Sequence, residues 1–119
     1  MHIGSILKSF SDIIAHLEVL RFEVEGNDSA LQLEITFNDG SKLHVRDYIF
    51  DAQRRKYVYH WQDKNDKLLV RWDNAPHWPE IETYPHHKHV HNEKNVLTSS
   101  ETDLKEVLAA IRAWMKNNP

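Results

Sequence analysis

The chain contains no cysteine, which excludes a disulfide framework, a thiolate metal site and a cysteine nucleophile. That suits a reducing cytoplasm. No apolar run approaches the ~20 residues that a bilayer-spanning helix needs. The first twenty residues carry Asp12, His16 and Glu18 and lack a small-residue cleavage site behind an apolar stretch, so they do not read as a signal peptide. An excess of positive charge is missing too, since net charge is −3 with neutral histidines. Attraction to nucleic acid by bulk charge is therefore ruled out, and any RNA contact must come from a local patch. There is no internal repeat, low-complexity tract or Gly/Ser linker. At 119 residues the chain suits one domain over its whole length, 1–119.

What is present is an ordinary globular composition, 40% hydrophobic and 28% charged, with nine histidines as its one oddity. Ile6, Phe10, Ile13, Ile14 and Leu17 recur at spacings that predict an amphipathic helix, with Ser5 as its cap. Near Val19 the period changes to two. Leu20, Phe22 and Val24 alternate with charged residues and predict a strand, and Gly26-Asn27-Asp28 supplies a turn. Leu31, Leu33, Ile35 and Phe37 predict a second strand, closed by the hairpin signal Asn38-Asp39-Gly40. Further strands are expected over 42–50, 55–62 and 67–73, the last pair joined at 63–66. Pro76, Pro79 and Pro85 then force irregular structure. A final helix is expected from about Ser100, with Ser100 and Asp103 approximating a capping box and Leu104, Val107, Leu108, Ile111 and Met115 as its apolar stripe. The expected fold is α+β: an antiparallel meander of about five strands with N-terminal and C-terminal helices packed on one face.

Pairing in sequence order would place His44, Arg46, Tyr48, His60, Arg71 and Asp73 together on the uncovered face, with directly opposed side chains ~5 Å apart. Such a cluster suits RNA cleavage without a metal. One histidine takes the 2′-hydroxyl proton, arginine neutralises the charge growing on phosphate, and a second acid protonates the leaving oxygen. Imidazole offers both protonation states near neutral pH, and the planar guanidinium fork matches phosphate oxygens. The plainer reading is a solvated sheet face, where the same residue types serve solubility and cross-strand pairing, and a one-residue slip would reverse a whole strand. Asp47 and Asp51 add carboxylates, but isolated acids are common on surfaces. Tyr57, Tyr59, Trp61 and Trp72 could stack bases, although their alternation with polar residues makes Tyr59, Trp61 and Trp72 core.

Five of the histidines fall between positions 77 and 91. In an extended segment His87, His89 and His91 share a face at a spacing of ~7 Å, while His86 and Lys88 point elsewhere. That spacing permits capture of zinc or nickel by imidazole, but matches no standard catalytic zinc signature. A proton-transfer or phosphate-binding role for His87, Lys88 or His89 is the preferred expectation, and a solvated loop is the bland one.

Three runs carry a resemblance: Tyr57-Val58-Tyr59-His60-Trp61-Gln62, then Leu69 to His77 with Arg71-Trp72-Asp73-Asn74-Ala75-Pro76-His77, then Tyr84-Pro85-His86-His87-Lys88-His89-Val90. They resemble the TumE-type toxin family of prokaryotic toxin–antitoxin systems over about Leu31 to Val107. The resemblance implies the toxin half of a two-gene module, usually beside a helix-turn-helix antitoxin, and leaves the roles of the motif positions to inference from their chemistry. The order of elements is also similar to RelE-like ribonuclease toxins, from whose basic charge this chain departs.

The resulting expectation is a cytoplasmic toxin acting as a small metal-independent ribonuclease. His60, Arg71, Asp73, His87 and His89 are its expected catalytic set, and His44, Arg46, Tyr48, His77 and Lys88 its substrate-binding set. No cofactor and no metal are assigned. The expected partners are a helix-turn-helix antitoxin and RNA, with no membrane, and a homodimer is compatible with this. Two alternatives stay open. One is a non-enzymatic module that titrates a partner through the loop around Trp78 and the segment His86–His91; the other is a metal-dependent hydrolase built on the histidine cluster.

Overall fold

The computed structural model describes residues 2–51 and 54–119. In chain order these form α1 (Ile3–Ser9), β1 (Ile14–Glu25), β2 (Asp28–Phe37), β3 (Lys42–Phe50), β4 (Arg54–Gln62), β5 (Leu68–Asp73), β6 (His87–Val90), β7 (Val96–Thr98) and α2 (Leu104–Asn117). The strands make one seven-stranded antiparallel meander in which each pairs with its sequence neighbours. The α+β class is as expected, but there are seven strands rather than about five. The two extra strands, β6 and β7, span four and three residues. Both are too short to show an alternating pattern, β6 is in addition mostly polar, and the prolines before them mask their onset.

β2, β3 and β4 follow their alternation. Leu31, Leu33, Ile35 and Phe37 meet Leu43 and Val45, then Tyr57, Tyr59 and Trp61, in one buried layer. α2 closes this layer with Leu104, Val107, Leu108 and Ile111, each fully buried. Its N-cap is Asp103, whose carboxylate accepts from the Glu106 amide at 2.8 Å, while Glu106 reaches back to the Thr102 amide at 3.1 Å. The capping device thus starts three residues later than Ser100.

The first helix is shorter than its apolar spacing predicts. It stops at Ser9, and Phe10 and Ile13 enter the core from the turn that follows. Ile14 already pairs with Phe37 of β2, so ladder hydrogen bonds take over where helical spacing would have continued. Ser5 is not the cap; its hydroxyl donates to the His2 carbonyl at 3.0 Å. Arg112 of α2 ties the two helices together, lying 4.2 Å from the Phe10 ring centre and bonding Asp12. Beyond α1, the edge strand β1 leaves Val19, Leu20, Phe22 and Val24 exposed.

A polar cluster sits within the helix-covered layer. Asp47 follows Leu43 and Val45 in the inward phase of β3, and it is 3% exposed. Arg55 grips both its oxygens, at 3.0 and 2.9 Å, and the Tyr59 hydroxyl donates to the same carboxylate. Burial works against the Arg55 charge, but the hydrogen bond to Asp47 and the surrounding negative groups win, so its pKa lies above the ordinary arginine value.

Candidate functional site

Register determines which side chains meet on the other face. Across β3, β4, β5 and β6, His44, His60, Arg71 and His89 stand directly opposite one another in a single row. The adjacent row runs Arg46, Val58, Asp73, His87. Both rows lie opposite the helices, because their chain neighbours Val45, Tyr59 and Trp72 are buried in the core. Tyr48 shares this face and accepts from Gln32 Nε2 at 2.7 Å.

The two ends of the rows differ. At the β3 end the face is open, with His44, Arg46, Val58, His60 and Arg71 lining a shallow cleft of about 380 Å³. The His44 and His60 ring centres are 6.2 Å apart with their planes tilted by 50°, so both rings border the same cleft. Burial, then the nearby His44 and Arg71 charges, lower the His60 pKa from the ordinary imidazole value. His60 is thereby held in the form that accepts a proton at neutral pH. Arg71 is not free, since its guanidinium forks around the Glu93 carboxylate. Arg46 is exposed.

At the β5–β6 end the same face is covered. Asp73, His87 and His89 are 6%, 2% and 4% exposed, and the Trp78 ring packs edge-on over His87 at 6.5 Å. His87 Nε2 lies 2.9 Å from Asp73 Oδ1, and His89 Nε2 lies 3.5 Å from Oδ2. The other ring nitrogens face backbone carbonyls: His87 Nδ1 is 3.0 Å from the Pro85 oxygen and His89 Nδ1 is 2.7 Å from that of Glu93. A carbonyl only accepts, so each Nδ1 carries the proton and each Nε2 is directed at the carboxylate. Asp73 Oδ1 also accepts from the Ala75 amide at 3.0 Å, and Arg71 Nε stands 3.5 Å from Oδ2.

The ten expected site residues therefore separate. His44, Arg46, Tyr48, His60 and Arg71 lie on the open face, and Asp73, His87 and His89 form a closed cluster beside it. His77 is exposed in the loop before β6 and, with Trp78, lines a cleft of about 480 Å³ that reaches all three clustered residues. Lys88 joins neither group. It points to the helix side, where its Nζ lies 3.1 Å from Glu101 Oε1, the inevitable side for a residue between His87 and His89 in a strand.

Sequence reasoning missed Glu93, which follows the histidine run in a turn and shows no period. It also passed over the pairing of Asp47 with Arg55. That one carried a signal, because both fall in the buried phase of their strands, and a carboxylate there requires a partner.

A family model described as Toxin TumE matches residues 4–115. No curated protein and no solved structure matches the chain. The match extends beyond the three motif-bearing runs to both helices, and the chain belongs to the TumE toxin family.

Proposed function

We propose that this TumE-family chain is the toxin of a two-gene prokaryotic toxin–antitoxin module and that it cuts RNA with the side chains of its open sheet face. The family implies an antitoxin partner; we take that partner to be a helix-turn-helix protein and the site of action to be the cytoplasm. The observation that carries the reading is the row His44, His60, Arg71, set directly opposite one another beside Arg46 and left uncovered by either helix.

His60 is the base. Its lowered pKa keeps it neutral at pH 7, so it can take the proton of a ribose 2′-hydroxyl. The freed oxygen attacks the adjacent phosphorus, and the bond to the 5′ oxygen breaks. That leaving oxygen takes a proton from His44. The products are a 2′,3′-cyclic phosphate and a 5′-hydroxyl end. Arg46, exposed and next to this pair, meets the phosphate as negative charge builds on its oxygens. Arg71 flanks His60 and, clamped by Glu93, fixes the imidazole's electrostatic surroundings more than it binds substrate. A patch of this kind is compatible with a net charge of −3, because only the local field meets the phosphate.

Purified protein incubated with single-stranded RNA tests the reading. The expected result is fragments with cyclic phosphate and 5′-hydroxyl ends, with His60→Gln slower by about 10²-fold or more. Intact RNA with the wild-type chain, or equal cleavage by both chains, refutes it.

A further inference from the structure

We infer that Asp73, His87 and His89 form a binding site for one divalent first-row transition-metal ion, zinc above all. The inference does not rest on the RNA reading. Three donor atoms converge: Nε2 of His87, Nε2 of His89 and a carboxylate oxygen of Asp73, all within 4.8 Å of one another. His87 Nε2 lies 2.9 Å from one oxygen of the Asp73 carboxylate and His89 Nε2 lies 3.5 Å from the other, so each imidazole faces its own oxygen at close to the ~3.3 Å expected between ligands around a tetrahedral ion with bonds of ~2.0–2.1 Å. Each imidazole is oriented by an Nδ1–H donated to a backbone carbonyl, the outer-shell arrangement that fixes the tautomer of metal-bound histidine.

Charge makes the same case. Each Nδ1–H is engaged by a backbone carbonyl, so both Nε2 atoms are turned onto one carboxylate in a buried site. Arg71, the one guanidinium in contact with Asp73 among the described residues, is already shared with Glu93. A divalent ion resolves the conflict, and two imidazoles with one carboxylate suit zinc better than magnesium or calcium. The scaffold is rigid, since Asp73 and His87 stand directly opposite across the β5–β6 pair and His89 is two residues along. Three protein ligands leave further coordination positions, and the cleft lined by His77 and Trp78 reaches the ligands. His91 is outside the set; it leaves the strand at a positive φ of 62° and is exposed.

The test is calorimetric titration of untagged, full-length, chelator-stripped protein with zinc chloride, paralleled by cobalt(II) absorption spectroscopy. One equivalent of zinc is expected per chain, together with the intense visible bands of four- or five-coordinate cobalt. His89→Gln and Asp73→Asn should each weaken zinc binding at least ~10–100-fold, the range that losing even an outer-shell partner costs. His91→Asn, which keeps a residue tolerant of positive φ, should leave binding unchanged. Absence of stoichiometric uptake, or uptake that survives both ligand substitutions, would overturn the assignment in favour of a protonated His–Asp cluster or adventitious capture by exposed histidines. Should the ligand variants fail to fold, the wild-type cobalt spectrum decides: weak octahedral bands, or none, overturn it.

Discussion

His60 stands directly opposite Arg71 across the β4–β5 pair, so a fixed cation flanks the imidazole that the open face presents. The same row places His44 on its other side. Burial and both neighbours disfavour a charged His60, and its pKa falls below the ordinary imidazole value of ~6.5.

The sign of the resulting pH dependence follows. As pH drops through ~6.5 the unfolded chain takes up a proton at this position before the folded chain does. The contribution of His60 to stability is complete above that pH and is lost as pH falls through its folded value. Urea unfolding measured from about pH 7.5 down to 5 should show declining stability, with a shallower decline in His60→Gln. In NMR titrations the His60 ring should have a midpoint below ~6.5, rising in Arg71→Ala.

The Asp47–Arg55 pair should be costly to break. Asp47 is buried and holds Arg55 and the Tyr59 hydroxyl, so Asp47→Ala leaves an uncompensated guanidinium beneath the start of α2. A loss of about 3–5 kcal/mol is expected from chemical denaturation. A loss no larger than that of an exposed control such as Glu80→Ala would show the cluster to be dispensable.

Helix α2 offers a smaller effect of known origin. Asp103→Ala removes the acceptor for the Glu106 amide and should cost ~1 kcal/mol. Ser100→Ala, at the position where the spacing alone places the cap, should cost less, because its hydroxyl donates to the Glu101 carboxylate and caps no amide of the helix.

The sheet was legible wherever one face is dry and the other wet. Leu31 to Phe37 and Tyr57 to Trp61 alternate because a helix-covered face demands it, and that alternation also located His44, Arg46, His60 and Arg71 on the face opposite. Legibility failed where burial is two-sided or structure is short. Trp72 and Asp73 are adjacent and both buried, since the chain through Trp78 and Glu93 covers the polar side there. No period-two pattern can announce that. β6 and β7 owe their pairing to β5 and to each other, not to any apolar pattern of their own. The helical spacing of Ile6 to Leu17 misled for a different reason: Ile14 and Leu17, three apart, fit a helix stripe and not an unbroken strand, but β1 carries a register shift between Ile14 and His16 where it pairs with β2, and both residues pack against the core.

The closed cluster was half legible. His87 and His89 were expected to share a face, as they do, and Asp73 was expected on the same face of the sheet. What pairing alone could not supply was the cover over them, which turns three polar residues on a wet face into a buried two-imidazole, one-carboxylate group.

The most direct test of the account is the chemistry of RNA ends in cells after induction of the chain. Wild-type induction should arrest growth and generate transcripts with new 5′-hydroxyl termini, while folded His60→Gln and Arg46→Ala variants, made at matched levels, should restore growth and remove those termini. Growth arrest without new 5′-hydroxyl termini, or the same termini from the His60→Gln chain, would contradict it.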